Sequence, residues 1–196
     1  MRRSKIVLGV LALLLFSPVA NAVESDRLQL TKVITCGENL RECVKVHTNE
    51  WIPSSTQTSW EVAKVENNKS RSFVRLTARW NGLRTVGTSS VVTLDRERRV
   101  LFVDRPARAL EVNAVGELIT PEQAEEIALQ EIHKRTGGAI PNEPQKAAEH
   151  VVMVDGHVGL QVFEVSIGSP ATMTTYKVYV DAESGKVHWI HNPTMH

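Results

Sequence analysis

Residues 174–190 read TTYKVYVDAESGKVHWI, and the fold of the chain follows from them. Tyr176, Val178 and Val180 alternate with Lys177, Tyr179 and Asp181, the period-2 pattern of a strand with one apolar and one polar face. Asp181 to Gly185 then supplies turn chemistry. An aspartate side chain accepts from the backbone just beyond it, and glycine takes a positive φ without a steric penalty. Val187 to Ile190 resumes the extended pattern, so the stretch is expected to form a β-hairpin.

Working outward, extended sequence over 151–154 and 158–162 is separated by Asp155-Gly156, a strong hairpin turn signal. A further strand is expected over 163–167, ahead of the break at 168–170. Before these strands lies the clearest helix. Thr120 is placed as its N-cap, Pro121 as N1, Gln123 as the N3 partner of a capping box and Gly137 as its stop. Ala124, Ile127, Ala128 and Ile132 recur at helical spacing, so one face of this helix packs on a sheet.

The first half shows strands expected at 60–65, 72–80, 89–94 and 99–103, joined by short polar loops, which is an antiparallel meander. Part of it recurs. Val91 to Asp95 followed by Arg99 to Val103 parallels Tyr179 to Asp181 followed by Lys186 to Ile190, and Ser72 to Leu76 parallels Val162 to Ser166. The expected architecture is therefore α+β: antiparallel meanders with one principal helix, either a tandem of two related halves or one module beside an unrelated β-rich domain.

Residues 1–22 read as an address. Arg2, Arg3 and Lys5 precede an apolar run too short for a membrane span, and Ala20-Asn21-Ala22 fits the small-x-small cleavage pattern. A cleaved signal peptide, a mature chain from Val23 and a periplasmic or secreted location are expected, with no stable membrane anchor. The domains that follow are 23–112, β-rich, then 113–191, α+β, then a tail, 192–196. From Val23 to Val112 there are 15 basic and 11 acidic residues, and from Asn113 onward 5 and 11. The halves carry opposite sign in a nearly neutral chain, a balance that argues against nucleic acid as a partner. Cys36 and Cys43 are the only cysteines. In an oxidising compartment they are expected to pair, clipping a hairpin between extended segments 32–35 and 44–48.

The helix opening ITPEQAEEIA, the strand VFEV at 162–165 and YKVYVDAESGKV at 176–187 together resemble a PepSY-type domain over about residues 118–190. That resemblance implies the fold of the second half. It also implies a class of function, because such domains occur in the propeptides of thermolysin-like peptidases and as exported proteins that bind or restrain other proteins. The matching residues are packing and turn residues, and no catalytic group is among them. Catalytic motifs such as Gly-x-Ser-x-Gly, His-Glu-x-x-His and the P-loop are missing from the chain. The expectation is a non-catalytic, exported protein-binding module without a cofactor, acting as an inhibitor or chaperone-like modulator of a peptidase or other cell-envelope enzyme. Trp51, Trp80, Arg96, Arg98 and Arg99 stand beside turns or at a hairpin tip and are candidates for contacting the partner. The alternative from a different class is copper or zinc binding by His188, His191 and His196.

Overall fold

The computed structural model describes residues 25–138, 143–169 and 174–192. The expected signal segment and His196 lie outside them. The chain begins with strand β1 (Ser25–Leu28), followed by helix α1 (Leu40–Trp51) and four antiparallel strands, β2 (Thr58–Asn67), β3 (Ser72–Trp80), β4 (Leu83–Leu94) and β5 (Val100–Pro106). After β6 (Glu111–Val112) comes helix α2 (Pro121–Thr136). Next are β7 (Glu143–Pro144) and a second antiparallel run of β8 (Glu149–Asp155), β9 (Val158–Ser169), β10 (Thr174–Asp181) and β11 (Val187–His191).

The opening stretch folds as its alternation predicts. Tyr176, Val178 and Val180 face α2, packing with Ala124, Ala128, Ile132, Phe163, Val165 and Ile167 in one core. α2 keeps its expected caps: Thr120 accepts from the Gln123 backbone and Gln123 from the Thr120 backbone, with Gly137 left-handed at φ 66°.

The first half requires corrections. Cys36 and Cys43 form the expected disulfide, but no hairpin lies between them. Residues 44–48 belong to α1, capped by Asn39, whose side chain accepts from the Glu42 amide. The alternation of Val44 and Val46 suggests a strand, yet the buried positions are Val44, Thr48 and Trp51, spaced by four and three, and Val46 is 70% exposed. The disulfide therefore ties the first turn of a second helix to the segment before it. β4 is also longer than expected. Asn81 and Gly82, at φ 47° and 83°, make a two-residue turn, and β4 starts directly after it at Leu83.

Both halves trace the same path, a helix followed by four antiparallel strands, and the register shows how they correspond. In β4–β5, Thr93 faces Phe102 and Leu94 faces Val100; in β10–β11, Tyr179 faces Trp189 and Val180 faces Val187. Each return strand thus carries its irregularity at the same step after a turn opened by aspartate, Asp95 or Asp181. Val74 faces Val92 as Val165 faces Val178. Ser72 therefore corresponds to Phe163, one residue later than the sequence comparison places it. A one-residue slip reverses every side chain, and only this register puts Val74 and Val165 on their helices.

The halves join in one sheet. β4 pairs in parallel with β8 at Thr85↔Val152 and Val86↔Met153, so the sheet is mostly antiparallel, with β6–β9 as the other parallel contact. Gly87 makes this junction possible: at φ 92°, a Cβ there would stand 2.7 Å from the Val154 carbonyl oxygen.

Candidate functional site

The face of the second meander turned away from α2 carries its polar chemistry. Alternation along β9 sends Phe163, Val165 and Ile167 to the helix and leaves Glu164 on the opposite face, only 1% exposed. A buried carboxylate must be paired. Glu164 Oε2 accepts from the Tyr179 hydroxyl at 2.9 Å and lies 3.2 Å from Arg84 Nη2, while Oε1 accepts from Lys177 Nζ at 3.2 Å. Arg84, from the start of β4, also forks onto Glu149 with two bonds of 2.9 and 3.0 Å, and Lys146 Nζ reaches Glu149 at 3.4 Å. The network thus spans both halves.

The electrostatics follow from this packing. Burial pushes the Glu164 carboxyl up, but the Tyr179 hydrogen bond and the positive charges of Arg84 and Lys177 outweigh it and hold the group below the usual carboxylate range. The Arg84 fork holds Glu149 low as well. Burial, then the charge of Glu164, pushes the Tyr179 phenol up, so it stays a hydrogen-bond donor. In the first half the position corresponding to Glu164 is Phe73, so no such network forms there.

Tyr179 is the base of an aromatic row. Its ring stacks on Trp189 at 5.4 Å between centroids, and Trp189 stacks on His191 at 5.3 Å. Tyr179 is buried, whereas Trp189 is 49% exposed. Tyr179 is fixed by Glu164, so Trp189 is presented to solvent on a rigid support.

The candidate residues named from the sequence do not converge on one place. Trp51 is 1% exposed in the first core, stacked against His47, so it offers no ring to a partner. Trp80 is half-buried at the end of β3. Arg99 is engaged by Asp95 and Glu97, Arg96 donates to the Lys69 carbonyl, and Arg98 occupies a left-handed turn position at φ 61°. At the other end of the molecule, His188 Nε2 lies 3.0 Å from Asp181 Oδ2 and His191 stacks on Trp189. β11 includes both histidines, with its register irregularity at His188. Among the described residues, no group of three or more His, Cys, Asp or Glu side chains is placed to hold a metal ion.

Asp181, His188 and Ser184 do meet, in an arrangement unsuited to nucleophilic catalysis. The Ser184 hydroxyl donates to Asp181 Oδ1 at 2.8 Å and to no imidazole, so the histidine cannot act as its base. Asp181 instead organises the turn, accepting from the Glu183 and Ser184 amides. Burial raises its pKa, but the Ser184 amide and the His188 bond lower it further, to about 2. Sequence reasoning missed the Glu164 network. Its signal was the single charged residue in the run VFEVSI, facing the same side as Tyr179.

The PepSY family model, described as peptidase propeptide and YPEB domain, matches residues 118–187. This segment, α2 with most of the second meander, is a PepSY-type domain. Among solved structures, the Bacillus megaterium YpeB C-terminal domain aligns with 77% of this chain and 60% of its own, at 13% identity and a TM-score of 0.40. The chain thus spans less than two thirds of that structure. No curated protein matches the chain. Among the described residues, no helix is long and apolar enough to cross a membrane.

Proposed function

We propose that this protein is an exported, non-catalytic protein-binding module that restrains or chaperones a peptidase or another cell-envelope enzyme. The observation that carries the reading is Trp189, half-exposed on an edge strand and braced from below by Tyr179 and Glu164. Exposed aromatic anchors on a rigid support are what protein interfaces concentrate their energy in. The family description for residues 118–187 speaks of peptidase propeptides, which supports a peptidase as the partner class. Export rests on residues 1–22 and on the disulfide, a bond favoured in oxidising compartments.

The test is capture of a partner by the mature chain, 23–196, from envelope extract, followed by reconstitution with the purified partner. A stoichiometric complex that changes the partner's activity or refolding yield is expected. A partner whose activity and refolding are untouched would contradict the modulator reading. Intact mass of the exported protein should correspond to a chain beginning at Val23.

A further inference from the structure

From the first half of the molecule we infer how the second half takes a partner: an extended, acidic segment of another protein adds as an antiparallel strand to the outer edge of β11. The inference rests on the protein-binding reading above and gives it a place, a direction and a side-chain pattern.

In the first half, the strand corresponding to β11 is β5, and its outer edge is filled by the chain itself. β1 pairs with it antiparallel, from Ser25↔Pro106 to Leu28↔Val103. Further along the same edge Thr35 bridges Arg99, with the Val100 amide donating to the Ile34 carbonyl and the Cys36 amide to the Arg98 carbonyl. The segment ahead of α1 thus covers this edge at both ends of β5, at residues 103–106 and 98–100. The segment ahead of α2 goes elsewhere. β6 lies beside β9, and the Ile119 amide donates to the Ala182 carbonyl. Among the described residues β11 pairs only with β10, leaving open the edge that its counterpart fills.

The filled edge also indicates what the open one would select. On β1, Arg27 faces Asp104, pairs with it at 2.7 Å and lies over the Phe102 ring at 4.1 Å, while the next residue, Leu28, faces Val103 and packs into the first core. The counterparts of Phe102, Val103 and Asp104 are Trp189, Ile190 and His191. The acid of the pair is replaced by an imidazole, with Lys177 directly across from it on β10. Charge complementarity therefore reverses. The incoming residue opposite His191 should be Asp or Glu, the next, opposite Ile190, should be apolar, and the one after, on the Trp189 side, aromatic.

The experiment titrates the mature chain with the peptide Ser-Asp-Glu-Leu-Tyr-Leu, following backbone amides 187–191 and the Trp189 indole by NMR. The expected result is perturbation confined to β11 and its neighbours. Replacing the peptide's Glu by Arg should weaken binding about tenfold, since a favourable cross-strand pair becomes an unfavourable one. Trp189→Ala should weaken it about five- to tenfold, and Trp189→Phe less, with folding of both checked by circular dichroism. Four results would overturn the inference: no perturbation at millimolar peptide, perturbation centred elsewhere, no preference between Glu and Arg, or occupation of the edge by a second copy, seen as concentration-dependent dimerisation that Trp189→Ala abolishes. A captured envelope partner whose affinity ignores Trp189→Ala would overturn the edge assignment while leaving the protein-binding reading standing.

Discussion

Glu164 is the residue whose environment constrains the second half most. Its carboxylate is buried and satisfied by three donors, so removing it strands the Tyr179 hydroxyl and the Lys177 ammonium and leaves Arg84 with Glu149 alone. Glu164→Ala should cost about 3 kcal/mol, near the low end for a broken buried pair because Arg84 and Lys177 still reach solvent; urea denaturation measures it. Asp181 makes a separate prediction about pH. Its folded pKa of about 2 lies below the roughly 3.9 of an unfolded aspartate. The stability it contributes is therefore complete above about pH 4 and lost as pH falls toward 2, amounting to about 2 kcal/mol. Thermal melts across this window should show a steeper acid loss for the wild type than for Asp181→Asn. Equal slopes would mean the turn does not depend on the charge.

At the scale of elements, legibility followed the strength of the local signal. α2 was readable to its caps because Thr120, Pro121, Gln123 and Gly137 each have a local physical reason to sit where they do. The 174–190 hairpin was readable because period-2 alternation and an Asp–Gly turn agree. α1 was not, because Val44 and Val46 mimic a strand over three residues and only the longer spacing to Thr48 and Trp51 reveals the helix. Nor was the start of β4, a polar stretch whose strand character comes from partners on both sides. The Glu164 network lay beyond reach for a related reason: it gathers Arg84, Glu149, Glu164, Lys177 and Tyr179 from four strands, and no local pattern records which side chains a sheet will bring together. The disulfide now has a helix to hold. Replacing Cys36 and Cys43 with Ser should lower stability by about 2.5 kcal/mol in the chain-entropy model for so short a loop. Amide exchange should rise first in α1, whereas uniform loosening would argue against a local role.

Across the whole molecule, the two meanders touch through a short parallel pairing at Thr85 and Val86, reinforced by Arg84 on Glu149 and Glu164. Charge-assisted hydrogen bonds of this kind contribute about 1.5 to 3 kcal/mol each. Arg84→Ala should therefore speed amide exchange at Val86, Val152 and Met153 by about 10- to 100-fold while the two helices keep their protection. Loss of protection throughout would show one inseparable cooperative unit instead. The halves follow matched paths with opposite charge and differ at their edge strands: β5 is covered by β1, whereas among the described residues β11 pairs only with β10, and Trp189 stands half-exposed on it.

The most direct test of a protein-binding role seated on that open edge is hydrogen exchange of the mature chain, alone and in complex with its purified partner. The account predicts new protection over residues 187–191, extending to β10 and absent from β2 and the 95–99 turn. Protection confined to the first half, with β11 exchanging as in the free chain, would contradict it.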